Sequence, residues 1–335
     1  MDRKPPSPHD LETLERGRKI ASAIETEVRK VVYGPELQPL IDILILALFA
    51  DGHVLVQAPV GLAKTLTCAA LAKTIGGVFN RLVFLPDMLP SVLSGYDVFN
   101  QETRQYEVQH GPLKDTHVFL ADEINRATPK TQAALLGPME QRHLTIGRKV
   151  FPLERVLLVL ATRNPIEHDG TYDLPEAQLD RFLAQGTIPD ISEETEMQIL
   201  SDPDFWRPAE DRLQRIKPVT TPEEILTIRE AIFANIHIEE RLNLYISRLR
   251  QATWRHPLVA WGSSVRGSIS LEKAVKVAAF RAGRDFAEPK EDLVKKYAIE
   301  ILSHRIFLKQ EARFAEKATS PAQVVREVLD EVKYD

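Results

Sequence analysis

A short apolar run, Val54-Leu55-Val56, is followed closely by Gly61-Leu62-Ala63-Lys64-Thr65 and then by a helix-like segment over residues 66–75. Strand, glycine-containing loop and helix in that order form the arrangement that builds a phosphate-binding loop. Backbone N–H groups and the positive end of the helix then surround phosphates, a Lys reaches the β/γ oxygens, and a Ser/Thr hydroxyl ligates Mg²⁺. The candidate contacts are Ala58, Pro59, Val60, Gly61, Leu62, Ala63, Lys64, Thr65 and Leu66, with Lys64 and Thr65 in the last two roles. Read backwards from Thr65, the pattern G-x-x-x-x-G-K-[ST] puts Ala58 and Ala63 where glycines are expected. An Ala forced to positive φ costs about 1–2 kcal/mol, enough to alter the loop but not to abolish binding of a multiply charged ligand. The plainer alternative is a turn before a helix with an incidental lysine.

Val118-Phe119-Leu120-Ala121 has the composition of a strand buried on both faces, and it ends in Asp122-Glu123. Two carboxylates at the end of a buried strand are costly without a partner. A magnesium nucleotide would supply one, with Asp122 holding the metal through its water shell and Glu123 polarising the attacking water. A strand that merely exits into solvent is the alternative. A third apolar run, residues 156–161, ends in Thr162-Arg163-Asn164-Pro165. Ligands of open α/β sheets gather outside the carboxyl ends of strands, so Asn164 is a candidate to touch the attacking water or the γ-phosphate. By itself it reads better as a turn residue before Pro165.

At this point the chain resembles the MoxR-type AAA+ ATPases, from about residue 31 to about residue 308. The strings VYGPELQPLIDILILALFADGHVLVQAPVGLAKT, FLPDMLPSVLSGYDVF, HGPLKDTHVFLADEINRATPKTQAALLGPMEQRHLTIG, LATRNPIEHDGTYDLPEAQLDRF and WGSSVRGSISL carry the resemblance. It implies that Arg181, in QLDRF, is an arginine finger reaching a neighbouring subunit's γ-phosphate. It implies further that Arg266, in SSVRGS, is the sensor 2 arginine and Asn164 sensor 1, and that Val32, Tyr33 and Gly34 lie against adenine. Without the family, Arg181 reads as one half of an ordinary ion pair and Arg266 as a solvated helix position. The implied activity is ATP hydrolysis with Mg²⁺ by a homo-oligomeric ring, a hexamer, that remodels a protein client. The resemblance also suggests metalloenzyme maturation and a von Willebrand factor A domain partner. A nucleotide-gated scaffold with little turnover and a DNA-dependent motor are the competing readings.

Three departures from the family pattern stand out. Ala58-Pro59-Val60-Gly61 lacks the first glycine and shifts the proline by one position; Arg163 stands where a Gln often precedes the sensor asparagine. Gly137-Pro138 interrupts a segment that is commonly helical, and Pro138 is expected to kink or end, near residue 136, the helix that begins at Pro129.

The 335 residues suggest about two domains, and 44% hydrophobic content is ample for buried cores. The fold class expected is α/β: a P-loop core with a parallel five-stranded sheet between helices, followed by an all-α lid. Residues 1–32 read as a disordered start and a helical extension, 33–203 as the core with hairpin insertions near 93–108 and 139–155, and 204–335 as linker and lid. Strands are expected near 53–57, 81–85, 117–121, 156–161 and 186–189. Trp254 and Trp261 read as packing residues of the lid.

The single Cys68 has no disulfide partner, and a reducing, cytoplasmic setting is the simplest inference. The apolar run over residues 43–50 is too short to span a bilayer and reads as a core helix. A net charge of −5 argues against nucleic acid as the main partner. The nine histidines show no metal-binding spacing, so the nucleotide's Mg²⁺ is the one metal indicated.

Overall fold

A computed structural model describes residues 7–57, 61–163, 171–283, 286–287, 291–313 and 319–334. They form two compact units, one of residues 22–181 and 186–226, the other of residues 1–21, 182–185 and 227–335. Helix α1 (Pro8–Arg29) is a single helix that contributes to both.

The first unit is built on a five-stranded sheet. Its strands are β1 (Val54–Gln57), β2 (Phe79–Val83), β5 (Val118–Asp122), β8 (Leu158–Arg163) and β9 (Ala184–Thr187), in the order β2-β5-β8-β1-β9. The pairs β2·β5, β5·β8 and β8·β1 are parallel. All five residues of β5 are buried, as a strand covered on both faces requires. All five strands occur where the apolar runs place them, three of them displaced by about two residues. In β8 the ladder carries on past the apolar run, pairing Thr162 with Val56 and Arg163 with Gln57. This register sets the ends of β1, β5 and β8 side by side.

Helix α2 (Gln38–Ala50) buries every residue from position 43 onward, so it is the core helix expected of that run. Helix α3 (Lys64–Thr74) follows β1, and helix α4 (Pro90–Ser94) leads into a hairpin of β3 (Gly95–Asn100) and β4 (Gln105–His110). After β5 comes α5 (Pro129–Gln141), then a second hairpin of β6 (His143–Ile146) and β7 (Lys149–Pro152). Both expected hairpins are present. Asp97 of the first lies against Gly147 at the turn of the second, and His110 meets Phe151 edge to face at 4.7 Å. Phe99 and Tyr106 pair at 5.3 Å and are largely exposed, as is Val150.

One of the two outcomes expected of Pro138 is overturned: α5 does not end near residue 136 but runs on to Gln141. Burial of Leu135, Leu136 and Met139 holds the last turn against the core, and the Arg142 N–H donates to the Pro138 carbonyl at 2.8 Å to close it. Tertiary packing here outweighs the hydrogen bond that proline cannot make. The unit continues through α6 (Glu176–Leu179), α7 (Glu193–Ser201) and α8 (Ala209–Leu213), and α8 packs on α3.

The second unit carries α9 (Pro222–Asn235) over most of its length, with α10 (Glu240–Arg255), α11 (Val265–Arg281), α12 (Glu291–Leu302), α13 (Gln310–Arg313) and α14 (Pro321–Glu331). It is helical as expected, with two additions. Strands β10 (His237–Ile238) and β12 (Phe286–Ala287) pair in parallel, and β11 (Val259–Trp261) pairs antiparallel with β13 (Phe307–Leu308). Trp254 and Trp261 pack edge to face at 5.8 Å, and the Trp254 indole donates to the Ser263 carbonyl at 2.8 Å. Both are packing residues, on the surface rather than in the core.

Candidate functional site

Helix α3 begins without a side-chain cap. Its N-cap is Ala63, in the left-handed region at φ 46°, and the loop before it turns at Gly61 with φ 93°. The alanine at the expected glycine position therefore adopts the glycine conformation, with the cost that implies. The first N–H groups of a helix lack intrahelical partners, and a cation in its first turn opposes the helix dipole. An uncapped terminus with Lys64 at its first position is thus poor architecture for stability and good architecture for holding an anion.

A cavity of about 510 Å³ opens over this terminus. Gly61, Leu62, Ala63, Lys64, Thr65 and Leu66 form one wall, and Asp122, Glu123, Thr162 and Arg163 at the ends of β5 and β8 form another. The phosphate-loop and Asp-Glu motifs, separate in sequence, meet here. Burial lowers the Lys64 ammonium from its ordinary value, Asp122 and Glu123 oppose the fall, and Arg81 adds to it.

Asp122 is buried and both its oxygens are engaged. The Thr162 hydroxyl donates to Oδ1 at 2.6 Å and the Arg81 guanidinium to Oδ2 at 2.7 Å. Thr162 Oγ1 also accepts the Glu123 N–H at 2.9 Å, so one hydroxyl orients both acidic residues. Glu123 sits at φ 58°, a left-handed conformation that turns its side chain away from the strand direction, and its Oε2 lies 3.0 Å from Arg126 Nε. Strain of this kind persists where the surroundings over-determine it. Buried Gln132 fixes the adjoining turn, donating to the carbonyls of Ile124, Ala127 and Tyr172.

Thr162 and Arg81 line the candidate site and bond Asp122, and motif reading gave neither a role. Phe79, Arg81 and Val83 alternate along β2 and all three face the cavity, which period-two reading of a strand beside Asp122 could have found. The remaining wall comes from α8: Ala209, Glu210, Arg212 and Leu213. Arg212 stacks on Phe205 at 4.7 Å, and its Nε is buried without a hydrogen-bond partner. No sequence signal links α8 to the loop.

Other predicted residues lie elsewhere or are not described. Ala58, Pro59, Val60 and Asn164 are outside the described residues. Val32, Tyr33 and Gly34 are not among those lining the cavity. The Tyr33 hydroxyl donates to Asp202 at 3.0 Å and its ring meets Phe205 at 5.0 Å. Arg181 is held on α5, with Nη1 donating to the Leu136 carbonyl and Nη2 3.4 Å from Glu140. Arg266 is exposed in the first turn of α11, where Ser264 accepts its backbone N–H at 3.0 Å. A cation there opposes the helix dipole.

Among the described residues no cluster of three or more His, Cys, Asp or Glu forms a metal site by itself. That suits Mg²⁺, which is held by one or two protein oxygens together with phosphates and water. Asp122 and Thr65, on opposite walls of one cavity, fit such a set. Cys68 is fully buried in α3, where burial pushes its thiol up, so it is a packing residue. Among the described residues no helix is long and apolar enough to cross a membrane.

Comparison with known proteins agrees with this geometry. Residues 53–184 match the ATPase family associated with various cellular activities (AAA), and residues 251–328 match the AAA lid domain. The chain is 39% identical to the uncharacterized protein YeaC of Bacillus subtilis over 295 residues, 87% of this chain and 89% of that protein. It is 35% identical to chaperone MoxR1 of Mycobacterium tuberculosis over 91% of this chain and 80% of that one. To the MoxR protein of Methylorubrum extorquens it is 32% identical, over 87% of this chain and 88% of that one. A crystal structure of a putative ATPase from Cytophaga hutchinsonii superposes with a TM-score of 0.85 at 35% identity, covering 97% of both chains. Nucleotide binding and ATPase activity come with that family, and the chain belongs to the MoxR-type AAA+ ATPases.

Proposed function

We propose that this chain hydrolyses ATP with Mg²⁺ in the cavity over α3, as a subunit of a homo-oligomeric hexameric ring, and uses the cycle to remodel a protein client. The observation that carries the reading is the meeting of an uncapped, lysine-bearing helix terminus with Asp122 and Glu123 in one cavity. Bound there, the magnesium nucleotide supplies the transferable phosphoryl group and a metal that offsets its developing charge.

The chain's own residues then divide the work. Lys64 and the N–H groups at the start of α3 hold phosphate oxygens, while Thr65 and Asp122 would hold the metal. Glu123 takes a proton from the attacking water, and Thr162 holds the Asp122 carboxylate and the Glu123 backbone. By family resemblance Asn164 helps place that water, Arg181 serves the neighbouring subunit's γ-phosphate, Arg266 senses the nucleotide from the lid, and residues 32–34 contact adenine. The two hairpins, with exposed Tyr96, Phe99, Tyr106 and Val150, present the surface suited to a client. Relatives named chaperone and MoxR support a protein client, and the resemblance suggests metalloenzyme maturation with a von Willebrand factor A domain protein.

The test is ATP hydrolysis across a protein concentration series, with oligomer mass recorded in parallel with and without ATP and Mg²⁺. Turnover that rises with assembly and is lost in Arg181→Ala supports a ring with shared sites. Assembly without turnover points instead to a nucleotide-gated scaffold, a reading favoured by the strained Ala63. Stimulation by DNA would point to a motor.

A further inference from the structure

The Arg81–Asp122 pair sits where a metal would be held. We propose that Arg81 is a built-in counter-cation for Asp122, which a divalent metal must displace, so that Arg81 sets the metal concentration at which the site fills. This rests on the nucleotide-site reading above.

Asp122 Oδ1 is fixed by the Thr162 hydroxyl at 2.6 Å, which leaves Oδ2 as the oxygen facing the cavity. Arg81 Nη2 lies 2.7 Å from Oδ2. A carboxylate oxygen has a second lone pair, but a dication or its water shell at Oδ2 would stand within a few ångström of the guanidinium. Like charges that close repel strongly in a half-buried site. The same carboxylate therefore cannot serve both cations well.

The fold gives Arg81 freedom to leave. It lies on β2, an edge strand of the sheet, and 44% of its side chain is exposed, against 12% for Asp122. Its neighbours on the same strand face, Phe79 and Val83, are apolar and offer no competing anion. Lys64 lines the same cavity, so a second cation stands near the Arg81–Asp122 pair. A purely structural ion pair would be expected between two residues of similar burial. Here one partner is fixed and the other is a long, half-exposed arm.

The experiment titrates Mn²⁺ into the full chain at saturating ADP and reads bound against free metal by electron paramagnetic resonance. Binding of a fluorescent ADP to the same samples is followed in parallel. Arg81→Met is expected to fill at about five- to tenfold lower free Mn²⁺, the effect of removing one charge-assisted competitor. Arg81→Lys, which keeps a cation but not the fork, is expected between the two and stands in if the Met variant does not fold. Filling at unchanged or higher Mn²⁺ in the variants, with ADP still bound, overturns the proposal and leaves the nucleotide site intact. Failure of wild type and variants alike to bind ADP overturns the site reading itself, and the proposal with it.

Discussion

Two arginines, one in each unit, separate the parts of this molecule that hold shape from the parts that do chemistry. Arg305, in the helical unit, is buried, and its guanidinium donates to the carbonyls of Phe182, Leu183 and Ile301 and to the Ser270 hydroxyl. These four partners are neutral acceptors. Arg81, in the α/β unit, is half exposed and spends its charge on Asp122 at a cavity wall. A buried cation surrounded by carbonyls is architecture, because its removal orphans those acceptors. A half-exposed cation on a buried carboxylate is the arrangement that the proposed exchange requires.

The sharpest way to break this contrast is at Glu123, a strained residue that lines the same cavity. Glu123→Gln should retain ATP and lose turnover by about 10²-fold or more, the usual contribution of a positioned base. Undiminished hydrolysis would remove Glu123 from the chemistry and leave its left-handed backbone without a functional reason. Next in size, Arg305→Met should cost about 3 kcal/mol by leaving several buried acceptors without a donor. Hydrogen exchange should place the lost protection in α11 and α12, with nucleotide affinity kept. A fall in affinity at unchanged stability would make Arg305 something other than architecture.

The legible part of the fold was what single segments encode. Buried parallel strands show as short apolar runs, so β1, β5 and β8 could be placed together with the polar residues that close them. Lys64, Asp122 and Glu123, which the motifs singled out, do line one cavity, because a helix start after β1 and the end of β5 are both marked by local sequence. Arg81 and Thr162 were not so marked, since their roles depend on register: Val83 beside Asp122 and Ala121 beside Ala161 bring β2 and β8 to bear on one carboxylate. The α8 wall was invisible for a stronger reason, being joined to α3 only by tertiary packing and the Lys73 ammonium's bond to the Leu213 carbonyl, which no local pattern encodes. Pro138 misled because local propensity carries no account of Met139, buried one residue further on.

Ala63 tests a smaller effect within the site. Held at φ 46° where glycine is at ease, it should yield about 1 kcal/mol of stability on Ala63→Gly. Thermal unfolding measures the gain, and the same variant titrated with ATP shows whether the strain also limits affinity. A loss of stability would mean that the entropy of a new glycine outweighs the relief.

The smallest effect belongs to a carboxylate that serves architecture in the same unit as Asp122. Glu36 accepts the Ser192 N–H at 3.0 Å and the Thr195 hydroxyl at 2.9 Å. The Ser192 side chain leads, with the backbone N–H of Glu36, the Thr195 hydroxyl and the Ser192 N–H assisting, in pulling its pKa from 4.5 down to about 2. A depressed folded-state pKa means that the unfolded chain takes up the proton first. The stabilisation is therefore complete above pH 4.5 and drains away as pH falls toward about 2. Glu36→Gln should lower Tm slightly at neutral pH and narrow that gap as the solution is acidified through this window. Parallel acid limbs for the two proteins would show that the Glu36 hydrogen bonds carry no charge-dependent stability. The line between fixed and exchangeable carboxylates would then rest on Asp122 and Glu123 alone.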